Sequence, residues 1–150
     1  MLRHFFTAFL FAGSLLAAKV DLHSPQSAVR SYYDAIHKGD LDALSQVMVE
    51  ESYDTTVKVY ALSIAIKDTE LMKTLNAYDQ SEEARKIVEN EVTKKLHTLK
   101  PRKISDLESI PNGEGRAIVR YLEAGKSKQL YLSRHGKLWK VDYKAGRKIE

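Results

Sequence analysis

The sequence predicts an α+β domain in which helices come first and an antiparallel sheet of about four strands follows. Three observations carry this reading. Apolar residues recur at helical spacing from Ser24 to about Leu99. After Pro101 the period shortens, and the runs RKISDLESI, RAIVRYLE, KQLYLS and KLWKVDY are short and β-rich. Between them stand the turn signals Pro111-Asn112-Gly113, Ala124-Gly125 and His135-Gly136. At 150 residues, 43% hydrophobic and 29% charged, the chain suits one core and one domain.

The first element is not part of that domain. MLRHFFTAFLFAGSLLAA opens with Arg3 and His4, continues with an apolar run from Phe5 to Leu16, and closes on Ala17 and Ala18. This is the three-part layout of an export signal. The run is shorter than the ~20 apolar residues of a membrane span. Residues 1–18 therefore read as a signal peptide cut after Ala18, and residues 19–150 as the single domain. The chain contains no cysteine. An exported domain without disulfides must be held by its core, and no cysteine can carry a lipid anchor. No later stretch is apolar enough to span a membrane. The expected compartment is a bacterial periplasm, with secretion as the alternative.

The helices follow from their caps. Ser24 offers an N-cap hydroxyl and Pro25 fits the first turn. Ala28, Val29, Tyr32, Tyr33 and Ile36 form one stripe. Gly39 ends the helix, and Asp40 caps a second with Leu41, Leu44, Val47 and Met48 on one side. Residues 53–67 fit either state: their β-branched content argues strand, while Val57, Tyr60, Ala61 and Ile64 fit a helix, which is preferred. Asp68 caps another short helix. Asp79 with Glu82 has capping-box spacing and opens a longer helix over 80–98 that buries Ala84, Ile87, Val88, Val92 and Leu96. Pro101 stops it. In the strands, Ala117, Val119 and Tyr121 share one face, and so do Trp139, Val141 and Tyr143.

Charge is divided along the chain. Residues 19–93 hold 8 Lys/Arg and 14 Asp/Glu, and residues 94–150 hold 15 and 6. The excess is either a basic face for an acidic partner or a solvated surface beside acidic helices, and the second is preferred. Nucleic acid is a poor fit for an exported protein. The five histidines have no local zinc spacing. Gly125-Lys126-Ser127 lacks the leading glycine of a phosphate loop, since residue 120 is Arg. No nucleophile elbow is present.

SPQSAVRSYYDAIHKGDLDAL resembles the first helices of the nuclear transport factor 2-like superfamily: an aromatic-bearing helix, a Gly-Asp break and a short second helix. SRHGKLWKVDY resembles that superfamily's last hairpin. The chain is most similar to its small exported, lumazine-binding-like branch. The middle departs from the pattern, because 53–99 reads as helical where many members have a strand pair and one helix. The resemblance implies a curved sheet wrapped around the first helix, with a cone-shaped cavity between, and homodimers formed through the sheet.

Fold does not fix function here. The leading expectation is an exported, non-enzymatic binding or accessory protein without a cofactor. Its small apolar ligand would be lined by some of Tyr32, Tyr33, Ile36, Val119, Tyr121, Leu132 and Trp139. The first alternative is an acid–base isomerase or dehydratase in the same cone, using Asp34 with a tyrosine. The second is a structural module presenting a basic sheet to an acidic envelope partner.

Overall fold

A computed structural model describes residues 17–146. The leader expected over residues 1–18 thus falls almost wholly outside the described residues. Five helices precede a four-stranded antiparallel meander, β1-β2-β3-β4, and pack against it. The predicted fold class is the one observed.

Helix α1 (Pro25–Lys38) opens on the Ser24 cap, whose hydroxyl accepts from the Ser27 N–H while the Ser27 hydroxyl accepts from the Ser24 N–H. Gly39 ends it with φ 62°, a left-handed conformation that costs other L-residues about 1–2 kcal/mol. No Cβ fits there either: one built on Gly39 would lie 2.6 Å from the His97 ring. That ring donates its Nε2–H to the Lys38 carbonyl at 3.0 Å, satisfying one of the last free carbonyls of α1. Asp40 caps α2 (Leu41–Val47) through the Ala43 N–H.

Residues 53–65 are helical, as the stripe favoured, and Ile66 and Lys67 turn out of the helix: α3 spans Glu50–Ala65 and buries Tyr53, Val57, Ala61 and Ala65. Asp68 caps α4 (Thr69–Asn76). The start of α5 (Glu82–Thr98) corrects the reading of the capping box. Ser81 is the cap, accepting from the Ala84 N–H, and Asp79 instead pairs with Lys58 at 2.7 Å. Ser81 lies directly before the first helical residue, where a short hydroxyl reaches the N3 N–H; Asp79 lies two residues too early. A second correction concerns Ile87. Ala84, Val88, Val92 and Leu96 are buried, but Ile87 is exposed. It stands one position before Val88, about 100° off the buried stripe.

The strands are β1 (Ile104–Pro111), β2 (Arg116–Glu123), β3 (Lys126–His135) and β4 (Leu138–Val141). All three predicted turn signals sit between them. Ala124 and Gly125 both have positive φ, as a two-residue hairpin turn requires. Asp106, also at positive φ, marks a register shift between Ser105 and Glu108. Ala117, Val119, Tyr121, Leu132 and Val141 face the helices and are buried. Tyr143 does not share their strand face as predicted. The chain leaves β4 at Asp142 and forms a short 3-10 turn, Tyr143–Gly146. There the Tyr143 N–H donates to Ser52 Oγ at 3.0 Å, and its hydroxyl meets Thr56 Oγ1 at 2.7 Å. These bonds give the buried Ser52 hydroxyl a partner and add a second to Thr56 Oγ1, which already donates to the Ser52 carbonyl at 2.9 Å.

Candidate functional site

The C-terminal half of α1 faces the end of the sheet where β2 turns into β3. A cleft of about 440 Å³ opens there. Tyr32, Tyr33, Ile36 and His37 form its α1 wall, and Tyr60 of α3 stands opposite. The segment Leu99–Lys103 makes the rim, and Glu123 and Ala124 close the sheet side. A groove of about 480 Å³ between α2 and α5 is larger. It is lined by Asp40, Asp42, Lys86, Glu89 and Asn90, with no aromatic residue, and resembles ordinary wet surface.

The cleft has an ordered polar floor. The Tyr33 hydroxyl donates to Glu123 Oε1 at 2.8 Å and lies 3.0 Å from the Tyr121 hydroxyl. A carboxylate only accepts, so the Tyr33 proton goes to Glu123 and Tyr121 donates to Tyr33. Arg102 Nη1 takes the other carboxylate oxygen of Glu123 at 3.2 Å. The Tyr33 ring meets Tyr32, Tyr121 and His37 edge-on, with centroids 5.3, 5.7 and 5.9 Å away. Burial, together with the bond donated to Glu123, pushes ionisation of Tyr33 well above the ordinary phenol range. Burial and the neighbouring Tyr143 and Tyr60 do the same for Tyr32. Both phenols are donors, not bases.

His37 holds the rim. Its Nε2 accepts from the Arg102 N–H at 2.9 Å, which requires the neutral ring with its proton on Nδ1. Burial, helped by the Arg102 guanidinium, outweighs Asp34 and Glu123 and keeps His37 below its ordinary 6.5.

Of the seven residues expected to line a ligand site, Tyr32, Tyr33 and Ile36 line this cleft. Tyr121 reaches it through its hydroxyl contact with Tyr33. Val119 and Leu132 are fully buried in the core. Trp139 lies elsewhere, its backbone N–H bonded to the Leu22 carbonyl at 2.8 Å and its ring under Arg134. Asp34, the acid–base candidate, has one carboxylate oxygen occupied by the Lys19 N–H at 2.7 Å and Lys38 Nζ at 3.0 Å. Partial burial resists its ionisation, but these donors outweigh it and hold the carboxyl below the usual range. A carboxylate so stabilised is a weak base.

Sequence reasoning missed Tyr60, Arg102 and Glu123. Glu123 had a usable signal, because it stands two residues after Tyr121 and so shares its face. Among the described residues no cluster of three or more His, Asp or Glu is placed to hold a metal ion, and no helix is long and apolar enough to cross a membrane. The chain matches no family model, no curated protein and no solved structure.

Proposed function

We propose that the protein is an exported binding module of the nuclear transport factor 2-like kind. Its ligand is a small molecule with a flat apolar body and an anionic end. One observation carries this reading. The cleft joins an aromatic and aliphatic wall to a rim bearing Lys100, Arg102 and Lys103, while the single carboxylate present, Glu123, is already bonded by Tyr33 and Arg102. Lys100 and Lys103 therefore meet a ligand with their charge uncompensated by the cleft itself. The volume falls in the ordinary range for small-ligand sites, about 300–1,000 Å³. The protonated phenols supply recognition, not proton transfer, and Asp34 lies outside the cleft, bonded to Lys19 and Lys38.

Anilinonaphthalene sulfonate, an apolar ring system with one negative charge, is a suitable probe. Calorimetry should give one site per chain. Tyr32→Ala, and separately Lys100→Glu with Lys103→Glu, should weaken it about tenfold or more, while Trp139→Phe leaves it unchanged. Unchanged affinity in the folded cleft variants would remove the cleft as the site.

A further inference from the structure

We infer that Lys19 is the working N-terminus of the folded protein, and that Asp34 receives its α-amino group. The inference rests on the leader pattern and on the packing of residues 17–23, and it is independent of the cleft. Residues 17–23 form a strap with strand-like alternation. Leu22 is buried, and Ala18 and Val20 pack against the same core. Lys19, Asp21 and His23 point to the other side.

The strap is tied at four places. Ala18 N–H donates to Asp40 Oδ2 at 3.0 Å, and Lys19 N–H to Asp34 Oδ2 at 2.7 Å. Asp21 exchanges two bonds with the buried Ser31 hydroxyl, accepting at 3.1 Å and donating at 2.8 Å. The Leu22 carbonyl accepts from Trp139 of β4. The tied residues thus include Ala18, the last of the leader pattern, and Lys19, the first after it.

Cutting after Ala18 adds water across the Ala18–Lys19 peptide bond, with a leader peptidase as catalyst. The Ala18 carbonyl becomes a carboxylate and leaves with the leader. The Lys19 nitrogen becomes an ammonium at the position its amide holds now. The amide bond to Asp34 then becomes an ion pair with up to three donors. Lys38 competes for the same oxygen, and Lys19's own side chain, Asp21 and Arg30 stand around the groove. The Asp40 oxygen that held Ala18 is released, while its partner oxygen keeps the cap of α2.

The test uses the full chain expressed for export in a Gram-negative host. Intact mass and N-terminal sequencing of the exported protein should show a chain starting at Lys19. Acylation of its α-amine near neutral pH should then be about threefold or more slower than in Asp34→Asn, because the paired ammonium gives up its proton less readily. A second protein carrying one glycine before Lys19 should label at the faster rate, and this holds even if Asp34→Asn does not fold. A chain starting at Ala18, which places the amine on Asp40 instead, would overturn the inference. So would an uncut chain, or labelling rates that are equal in the wild type and the glycine-extended protein.

Discussion

Replacing Tyr33 with Phe tests the cleft floor directly. The substitution keeps the ring and its edge-on contacts and removes one hydroxyl. That hydroxyl makes two bonds, at 2.8 Å to Glu123 and 3.0 Å to Tyr121. A neutral bond contributes about 1 kcal/mol and one to a charged group about 1.5–3 kcal/mol. Glu123 keeps Arg102 and the cleft admits water, so the lower half of the sum applies, about 2.5–3.2 kcal/mol in total. For a folded unit of about 130 residues the unfolding entropy is about 0.27 kcal/mol per degree, so Tm should fall by about 9–12 °C. Tyr121→Phe removes only the bond to Tyr33 and should cost about 0.5–1 kcal/mol, or about 2–4 °C. The double variant should melt close to Tyr33→Phe, because the shared bond is lost only once. A double-mutant cycle by calorimetry should therefore return a coupling of about 0.5–1 kcal/mol. Strict additivity, or a Tyr33→Phe protein melting within about 1 °C of wild type, would refute the Tyr121–Tyr33–Glu123 chain.

Three further outcomes follow from the packing. Gly39→Ala should cost about 2–3 kcal/mol, from the left-handed backbone and the displaced His97 hydrogen bond, read as a lower urea midpoint at unchanged m. Tyr78 is only 1% exposed, lies under the Arg85 guanidinium at 4.7 Å and bonds Asp54 and Glu89 through its hydroxyl. Tyr78→Ala should accordingly cost about 3–5 kcal/mol, while Tyr78→Phe costs about 1 kcal/mol, measured by the same denaturation. His37 is held below 6.5, so the unfolded chain binds its proton first as pH falls. Stability from His37 is complete above 6.5 and declines as pH drops from there toward its folded value. The Tm difference between wild type and His37→Gln should thus shrink between pH 7 and pH 5; a constant difference would mean that the Arg102–His37 bond contributes nothing.

The fold was legible because its signals are local. The Ser24-Pro25 start, the Gly39-Asp40 break and the three Gly turns each satisfy a backbone need within a few residues, and each stands where expected. The two helix misreadings were matters of one or two positions: Ser81, two residues after Asp79, reaches the first free N–H groups, and Ile87 lies one residue off the buried stripe. Tyr143 continues the strand alternation in sequence. It turns away into a 3-10 turn where its N–H meets Ser52 and its hydroxyl meets Thr56, about ninety residues earlier, and no periodicity reports such a long-range pairing.

The cleft was half visible for the same reason. Tyr32, Tyr33 and Ile36 announce themselves as an aromatic stripe. Their opposing wall comes from a helix with apolar residues on two faces and from the rim segment Leu99–Lys103, whose position depends on His37 bonding the Arg102 backbone. Val119 and Leu132 were reasonable candidates by face, but a central strand position is filled by core packing, while the ligand-sized space lies at the sheet's end.

Native mass spectrometry of the purified protein, compared with its denatured mass, tests the binding reading most directly. The reading predicts one small bound species that is lost on denaturation, carries an acidic group, and is retained poorly by Lys100→Glu with Lys103→Glu. An unliganded mass, together with no binding of anilinonaphthalene sulfonate to the folded protein, would contradict it.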